Sequence, residues 1–308
     1  MGLTDILTTS VRCVKRILLI GENLPFFCSC SKRIQRMGKD VMAEMRSKGI
    51  SIDKPVVDRR SAIYSRLRGL ENRPGIEIAP GSSPILEKGA FNVIYVDKFD
   101  HRDNSDTYLQ GQPVYIDCLL GDKLIDEILA LNTFSYVVSS HVIEHMPDFI
   151  QFFKSVANIL RDGARLVMYV PDKRYTFDVL RPVSTITDIE EAHNQHLRHP
   201  SRAMARDVHV NSDFSAEAAG LWDKSHRPIP TRDSTAALKI ADELDLAKAD
   251  LHCFTFTSES FLGLINHVID KHVPAFRVLE ITDTPYGCNE FIVDLVLRKY
   301  VRLQNPPA

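Results

Sequence analysis

The alternation of short apolar runs with helical patterns between residues 75 and 180 constrains the fold of this chain more than any other feature. The apolar runs read IEI, NVIYV, PVYID, FSYVVSS and RLVMYV, and the helical patterns include DKLIDEILALN and FIQFFKSVANILRDG. Apolar strands that alternate with helices are typical of a parallel sheet covered on both faces. Two later runs, FRVLEIT and NEFIVDLVLRK, are joined by a short turn and predict an antiparallel pair at the end of the sheet. The fold class expected is therefore α/β.

The pattern divides the chain into four parts. Residues 1–70 read as an N-terminal helical segment, and residues 71–180 contain the alternating strands and helices. Residues 181–250 are polar and rich in histidine, and residues 251–308 complete the sheet. An insertion as long as 181–250 at the ligand edge of a sheet is more often functional than a simple connection, so we expect it to cover a binding site.

Composition and charge exclude several classes of protein. The net charge of −2, without a basic tail, argues against nucleic-acid binding. The six cysteines show no regular spacing, which favours a reducing cytoplasm over a disulfide framework. No run of 18 apolar residues occurs, so no membrane span is expected, although peripheral attachment through residues 17–27 stays open.

A strand, a polar turn and a second strand tipped with an acid stand near the start of the alternating region. Glu77 lies in the first strand, the turn runs from Ala79 to Ser83, and Asp97 ends the second strand. A carboxylate at such a strand end can accept hydrogen bonds from both hydroxyls of a ribose. The arrangement therefore indicates a cofactor that contains ribose.

Longer stretches of the chain resemble a known family. IEIAPGSSPIL, VIYVD, the run SSHVIEHMPDF through LRDGARLVMYVPDKRYTFD, and the closing strand pair are similar to class I S-adenosylmethionine-dependent methyltransferases, in the group with S-H-x-x-E-H and V-P-D motifs. The resemblance covers about residues 70–180 and 252–300. It implies a Rossmann-like seven-stranded sheet, mostly parallel with an antiparallel last strand and helices on both faces. It also implies S-adenosyl-L-methionine as the cofactor.

The resemblance assigns cofactor contacts to the strand ends. Asp97 would bind the ribose, Asp117 with Cys118 beside it would meet the adenine, and Ser140 with His141 would line the methionine side. The full set of expected cofactor-binding residues is Glu77, Ala79, Gly81, Ser82, Asp97, Asp117, Cys118, Ser140 and His141.

The first turn departs from the pattern of the family. That pattern has an acid followed by three glycines, E-x-G-x-G-x-G, whereas Ala79 and Ser83 occupy the first and third glycine positions. Only Gly81 remains, and prolines at 80 and 84 stiffen the turn. Cofactor binding then requires that the turn open slightly.

Methyl transfer to a hydroxyl needs alignment and a proton acceptor. The candidates for catalysis are His141, His145, Asp172 and His193. His193 belongs to a cluster with His196 and His199, for which a metal, a proton-accepting or a plain structural role stays open. H-x-x-E-H at residues 141–145 is the inverted spelling of a zinc motif, but it stands at a predicted strand end, so no metal is expected.

The function expected is S-adenosylmethionine-dependent methylation, by O-methylation, of a small-molecule or saccharide-type acceptor such as a glycan. Two alternatives stay open. One is a methyltransferase-like module that binds partners without catalysis. The other is a nucleotide-cofactor enzyme such as an NAD-dependent oxidoreductase, which is disfavoured because the phosphate-binding G-x-G-x-x-G is missing.

Overall fold

Seven strands in the order β3-β2-β1-β4-β5-β7-β6 form the sheet. This computed structural model describes residues 58–100 and 114–299. The strands are β1 (Gly75–Ile78), β2 (Val93–Asp97), β3 (Cys118–Leu119), β4 (Phe134–Ser140), β5 (Leu160–Pro171), β6 (Phe276–Thr282) and β7 (Glu290–Leu297).

The strand directions confirm the predicted sheet. β1 pairs in parallel with β2 and β4, β2 with β3, and β4 with β5. β7 lies between β5 and β6 and is antiparallel to both. Because β1, β2, β4 and β5 run the same way, their carboxyl ends meet at one edge of the sheet, where ligands of open α/β folds bind.

Eight α-helices occur among residues 58–100 and 114–299. They are α1 (Arg59–Arg66), α2 (Ile125–Ile128), α3 (Phe149–Ile159), α4 (Ile186–Asn194), α5 (Arg202–Asn211), α6 (Ala218–Asp223), α7 (Ser234–Glu243) and α8 (Ser258–Lys271). α4 to α7 all belong to the polar insertion, where the sequence predicts helix around 187–197 and 234–248.

Apolar side chains alternate between the two faces of the central strand β4, which is why both faces are covered. Tyr136 and Val138 pack on one face in a cluster with Ile63 of α1. Val137 points to the other face, into a cluster with Phe149 of α3. All five side chains are fully buried. Burial of a large apolar side chain contributes about 1.5–3 kcal/mol, so these contacts hold the helices on the sheet.

Local hydrogen bonds fix where two of these helices begin. The side chain of Asp58 accepts from the backbone N–H of Arg60 at 3.1 Å and so caps α1. Asp148 caps α3 in the same way, because its Oδ1 accepts from the N–H of Gln151 at 2.8 Å. A side-chain cap of this kind is worth about 1 kcal/mol.

Gly75 opens β1 because no larger residue fits there. A Cβ atom at this position would lie 1.9 Å from the ring of Tyr136 on the neighbouring strand. The glycine therefore lets the aromatic ring of β4 cross the start of β1.

The third strand and the helix after it differ from the prediction. The sequence places a strand at PVYID, but β3 begins one residue after Asp117. The helix predicted over residues 122–132 is reduced to α2. Most of the predicted N-terminal helical segment, residues 1–57, lies outside the described residues, as does the proposed attachment segment 17–27. Within the described ranges, no helix has both the length and the apolar character needed to cross a membrane.

Candidate active site

Four strand ends bring the predicted site residues to the carboxyl edge of the sheet. Ala79 follows β1, Asp97 ends β2, His141 follows β4 and Asp172 follows β5. β1 lies between β2 and β4, so the first three positions are neighbours in space.

Glu77 organises the turn after β1. Its carboxylate is buried, and its two oxygens accept from the backbone N–H groups of Ile85 and Leu86 at 2.7 and 2.8 Å. Burial outweighs these two hydrogen bonds and raises the pKa of Glu77 to about 7. The side chain thus fixes the backbone at Ile85 and Leu86, where the turn ends.

The turn has left-handed backbone at two of the three positions where the family pattern has glycine. Ala79 has φ +51° and Gly81 has φ +59°, both in the left-handed region. The N–H of Ala79 donates to the carbonyl of Val96 at 2.8 Å, which ties the turn to β2. Ser82, the next predicted contact, follows Gly81 and is half-buried. Alanine is strained at such a φ, so the missing first glycine costs stability without changing the path of the chain.

Asp97 lies where the sequence predicts it, at the end of β2. It is 5% exposed, and its Oδ1 accepts from the backbone N–H of Lys98 at 2.6 Å. This hydrogen bond fixes the carboxylate at the edge of the sheet beside the turn after β1.

Asp117 does not lie at the carboxyl edge, which corrects the predicted strand end. Its Oδ2 accepts from the backbone N–H of Tyr95 at 2.7 Å, and its Oδ1 accepts from Nζ of Lys88 at 2.7 Å. Cys118 is the first residue of β3, is half-buried, and has a pKa that burial raises. Asp117 therefore stands before the strand and Cys118 begins it, so neither follows it.

Asp122 is the acid that follows β3. It comes directly after Gly121, and its side chain is 70% exposed, with Oδ1 3.5 Å from Nζ of Lys98. Sequence reasoning missed it because the strand was predicted too early. The dipeptide Gly121-Asp122 after an apolar run was the signal that could have found it.

Ser140 and His141 end β4 at the centre of the edge. The hydroxyl of Ser140 accepts a hydrogen bond from Arg59, whose Nε also pairs with Oε1 of Glu290 at 2.7 Å. His141 has φ +54°, so the chain turns sharply at this position. Its Nε2 lies 2.8 Å from Oε2 of Glu290 on β7.

Glu144 is a fully buried carboxylate surrounded by histidines. Its Oε1 lies 3.4 Å from Nδ1 of His141, 3.7 Å from Nε2 of His145 and 4.0 Å from Nε2 of His252. Burial opposes the charged forms of these groups. The attraction between them outweighs burial, so the pKa of Glu144 is lowered and that of His141 is raised to about 9, with Glu290 contributing.

His252 and Asp178 complete this cluster, and no pattern in the sequence singles them out. Nδ1 of His252 lies 2.5 Å from Oδ2 of Asp178, and Asp178 also accepts from Nη1 of Arg181 at 2.6 Å. Hydrogen bonds and attraction from His252 and Arg181 outweigh burial, the largest single influence, and lower the pKa of Asp178. The partners of His252 come from distant parts of the chain, so spacing along the sequence cannot reveal them.

A cavity of about 330 Å³ opens beside the histidine cluster. His141 and His252 form part of its wall, together with Tyr175 and Phe177 from the segment after β5 and residues 216–218 of the insertion. Tyr175 stacks on Trp222 of α6 with ring centroids 3.8 Å apart. The insertion thus forms one side of the cavity, and the strand ends form the other.

Two predicted catalytic residues have other partners. Asp172 is buried, and its carboxylate accepts from the guanidinium of Arg174 and from the hydroxyl of Thr284 at 2.7 Å. His193 lies on α4, with Nδ1 2.9 Å from Asp148 and Nε2 2.7 Å from Nζ of Lys154. The described wall of the cavity includes neither residue. Their catalytic roles stay predictions.

His145 lies between Asp250 and the ring of His252. Its Nδ1 lies 2.6 Å from Oδ1 of Asp250, and its ring packs edge-on against the ring of His252. The two carboxylates near it outweigh burial and raise its pKa. It belongs to the cluster behind the cavity, although it is not among the residues of the wall.

A family model described as a methyltransferase domain matches residues 41–215, which is more than half of the chain. The chain belongs to this methyltransferase family. It is an S-adenosylmethionine-dependent enzyme of class I, and S-adenosylmethionine is its cofactor. The match of the family model confirms the family that the sequence predicts. None of the curated proteins compared with it matches.

Several solved structures are similar to the methyltransferase at low identity. One, described as a Zn-dependent alcohol dehydrogenase from Rhodobacter sphaeroides, is 14% identical with a TM-score of 0.44, over 78% of this chain and 90% of its own. A methyltransferase from Listeria monocytogenes is 9% identical with a TM-score of 0.42, over 78% and 98%. Another from Mesorhizobium loti is 13% identical with a TM-score of 0.42, over 77% and 96%. At these scores the likenesses carry no argument about function.

The residues at the carboxyl edge fit S-adenosylmethionine chemically. A buried carboxylate at the end of β2 suits a vicinal diol, because it offers two acceptor oxygens. The turn after β1 exposes backbone with only small side chains at Ala79, Gly81 and Ser82, so a ligand can approach it closely.

Proposed function

We propose that this methyltransferase transfers a methyl group to a hydroxyl of a small-molecule or saccharide-type acceptor held in the cavity of about 330 Å³. The observation that carries the proposal is the position of two histidines, His141 and His252, in the wall of this cavity beside the end of β4. A carboxylate holds one ring nitrogen of each: Glu290 lies beside Nε2 of His141, and Asp178 lies beside Nδ1 of His252. Imidazoles held in this way can orient a hydroxyl. His141, whose pKa is raised to about 9, keeps its own proton, so His252 is the one that can take up the proton of the hydroxyl.

The cofactor lies, in this proposal, along the ends of β1, β2 and β4. Asp97 accepts from the ribose hydroxyls, and the turn at Ala79, Gly81 and Ser82 contacts the cofactor through its backbone. Glu77 acts indirectly, because its oxygens already hold the N–H groups at the end of the turn. Asp122 takes the role that was predicted for Asp117, since it follows β3 beside Lys98.

When bound, S-adenosylmethionine supplies an electrophilic methyl group: the acceptor oxygen bonds to carbon while the carbon–sulfur bond breaks and leaves its electron pair on sulfur. The protein supplies the alignment. Tyr175 and Phe177 offer flat surfaces to the acceptor, and His252 in the cavity wall takes up the hydroxyl proton.

The domain organisation follows the same division. Residues 71–180 and 251–308 hold the cofactor, and the insertion 181–250 covers the acceptor. Support for this comes from residues 216–218, which line the cavity, and from the stacking of Trp222 on Tyr175.

Cytoplasmic location belongs to the proposal as well, since Cys118, Cys253 and Cys288 are free thiols. Nucleic acid is not a partner in it, given the net charge of −2.

A panel of acceptors tests the proposal. The protein is incubated with S-adenosylmethionine labelled on the methyl group and with compounds that offer a hydroxyl, an amine or a thiol, including simple saccharides. We expect label on oxygen. His252→Gln should lower kcat by about 10²- to 10⁴-fold and leave the Kd for the cofactor unchanged.

His196→Asn provides the matched control. His196 is an exposed histidine of the same insertion, and asparagine tolerates its left-handed φ of +51°. Turnover of this variant should equal that of the wild type. Label on nitrogen or sulfur alone would refute O-methylation, and full turnover of His252→Gln would move the acceptor away from the cavity.

A further inference from the structure

Three histidines direct one ring nitrogen each toward the buried carboxylate of Glu144. The facing atoms are Nδ1 of His141 and Nε2 of His145 and His252. Oxygen and nitrogen atoms of Glu144, His145 and His252 all lie within 4.8 Å of one another. His141 adds a further nitrogen near the same carboxylate, with Nδ1 3.4 Å from Oε1 of Glu144.

Each of these histidines is oriented from behind by a second carboxylate. Nε2 of His141 lies 2.8 Å from Glu290, and Nδ1 of His145 lies 2.6 Å from Asp250. Nδ1 of His252 lies 2.5 Å from Asp178. A carboxylate on the outer nitrogen fixes the tautomer that leaves the inner nitrogen with a lone pair, as it does for most histidine ligands of metals.

The inner distances are too long for hydrogen bonds and suit a bound ion. The separations of 3.4, 3.7 and 4.0 Å from Oε1 of Glu144 exceed the normal hydrogen-bond range, which ends at about 3.2 Å. Ligands of a tetrahedral ion with bonds of about 2.0–2.1 Å stand about 3.3 Å apart. The cluster therefore has nearly the dimensions of a metal site.

We propose that Glu144, His141, His145 and His252 bind one divalent transition-metal ion at the edge of the acceptor cavity. Imidazole and carboxylate ligands favour ions such as Zn²⁺ and Fe²⁺. The fully buried Glu144 supplies the negative charge, and the outer carboxylates of Asp178, Asp250 and Glu290 add to it. His141 and His252 belong to the cavity wall, so an ion can reach the cluster from that side.

A second cluster with the same residue types lacks these features. His267 and His272 place Nε2 at 2.5 and 2.8 Å from the same oxygen of Glu190, which lies outside the carboxyl edge on α4. These are hydrogen-bond distances, and no outer carboxylate is recorded on either histidine within the described part of the chain. The group of Glu190, His267 and His272, called the outer cluster below, is thus held together by hydrogen bonds. It serves as an internal comparison.

The sequence expectation of no metal considered H-x-x-E-H alone, at a strand end. His252 comes from the segment before α8 and completes the set only in the folded chain. The role of the ion in turnover rests on the proposed function. With an ion bound, the inner nitrogens of His141 and His252 would be its ligands, so the ion and not an imidazole would activate the acceptor hydroxyl: it would lower the pKa of that hydroxyl, and the proton would leave to water before methyl transfer. Metal binding itself does not depend on that function.

Direct metal binding tests the proposal. The full chain, prepared without a histidine tag, is freed of metal with a chelator and titrated with Co²⁺ by visible absorption and with Zn²⁺ by calorimetry. We expect about one equivalent of either ion in a site with nitrogen ligands. Absence of binding to a folded, metal-free chain would overturn the proposal.

Variants locate the ion. Glu144→Gln keeps the shape of the side chain but removes its charge. It should weaken metal binding by more than the roughly 10- to 100-fold expected when a carboxylate behind a histidine ligand is lost. Asp250→Asn should weaken it by roughly 10- to 100-fold. Because Asp250 is 75% exposed, this variant keeps the test valid even if Glu144→Gln fails to fold.

Two controls separate this site from other histidines. His226→Ala removes a histidine that pairs with Asp213 outside the cluster, and its binding of metal should equal that of the wild type. Glu190→Gln should also leave binding unchanged. Loss of binding in Glu190→Gln, with binding intact in Glu144→Gln, would place the ion at the outer cluster and refute the proposal.

Metal stoichiometry and methylation are measured separately, so the two proposals can fail independently. Binding of an ion without O-methylation would leave the metal site standing and remove the proposed acceptor chemistry. O-methylation by a chain that binds no ion would do the reverse.

Discussion

The two halves of the carboxyl edge satisfy their buried carboxylates in different ways. In the cofactor half, Glu77 and Asp97 each accept from backbone N–H groups of nearby residues. In the acceptor half, Glu144 and Asp178 face imidazole and guanidinium groups. The first arrangement shapes loops, whereas the second concentrates charge beside a cavity.

This difference has a physical consequence. A backbone N–H neutralises a carboxylate only in part and fixes the local path of the chain. A charged or titratable partner from a distant segment joins separate elements and leaves groups that can move protons or bind ions. We therefore expect substitutions in the acceptor half to affect stability and turnover, and substitutions in the cofactor half to affect affinity for the cofactor.

The largest effect is expected from Asp178→Ala. Asp178 and Arg181 are both 2% exposed in their side chains, so removal of the acid leaves a buried guanidinium with less compensation. The free energy of unfolding should fall by about 3 kcal/mol, since Asp207 still pairs with Arg181 at 2.8 Å. Urea denaturation measures this. A loss below about 1 kcal/mol, the value typical of a surface pair, would contradict it.

Asp97→Ala should act on the cofactor half alone. Loss of the hydrogen bonds to ribose should weaken binding of S-adenosylmethionine by about 1.5–3 kcal/mol, because one partner is charged. Turnover at saturating cofactor should stay near that of the wild type. Calorimetry checks the affinity, with Asp270→Ala on the exposed face of α8 as the control. Unchanged affinity would remove Asp97 from the cofactor site.

Asp122→Ala and Asp117→Ala together test which of the two acids binds the cofactor. Asp122→Ala should weaken cofactor binding by about 0.5–1.5 kcal/mol, the contribution of a typical hydrogen bond. Asp117→Ala should instead lower stability, because the N–H of Tyr95 loses its side-chain acceptor. The same calorimetric and urea experiments compare the two. If only Asp117→Ala weakens binding, the original assignment of Asp117 holds.

The smallest effect is expected from Ala79→Gly, which should raise the free energy of unfolding by about 0.5–1 kcal/mol. Glycine relieves the strain at φ +51°, although it also increases the entropy of the unfolded chain. Ala236→Gly, on the exposed face of α7, is the control and should lower stability by about 0.5–1 kcal/mol. A destabilising Ala79→Gly would mean that the turn carries no strain.

Local patterns predicted most of the elements that carry the site. The runs FSYVVSS and FRVLEIT correspond residue for residue to β4 and β6, because alternating or continuous apolar runs have few other stable arrangements. β3 was placed too early, since PVYID is as apolar as a strand and only two residues after it pair with β2. That single shift is why Asp117 was chosen and Asp122 was missed.

The sequence by itself determined the family, the order of the strands along the chain and the acids that shape the cofactor loops, because these depend on partners within a few residues. Only the tertiary structure decided which groups surround Glu144 and which side chains line the cavity. His252, Asp178 and Glu290 reach the cluster from separate elements, and their contacts arise from the packing of those elements on the sheet. No periodicity or spacing encodes such contacts, since they depend on where the chain returns in three dimensions.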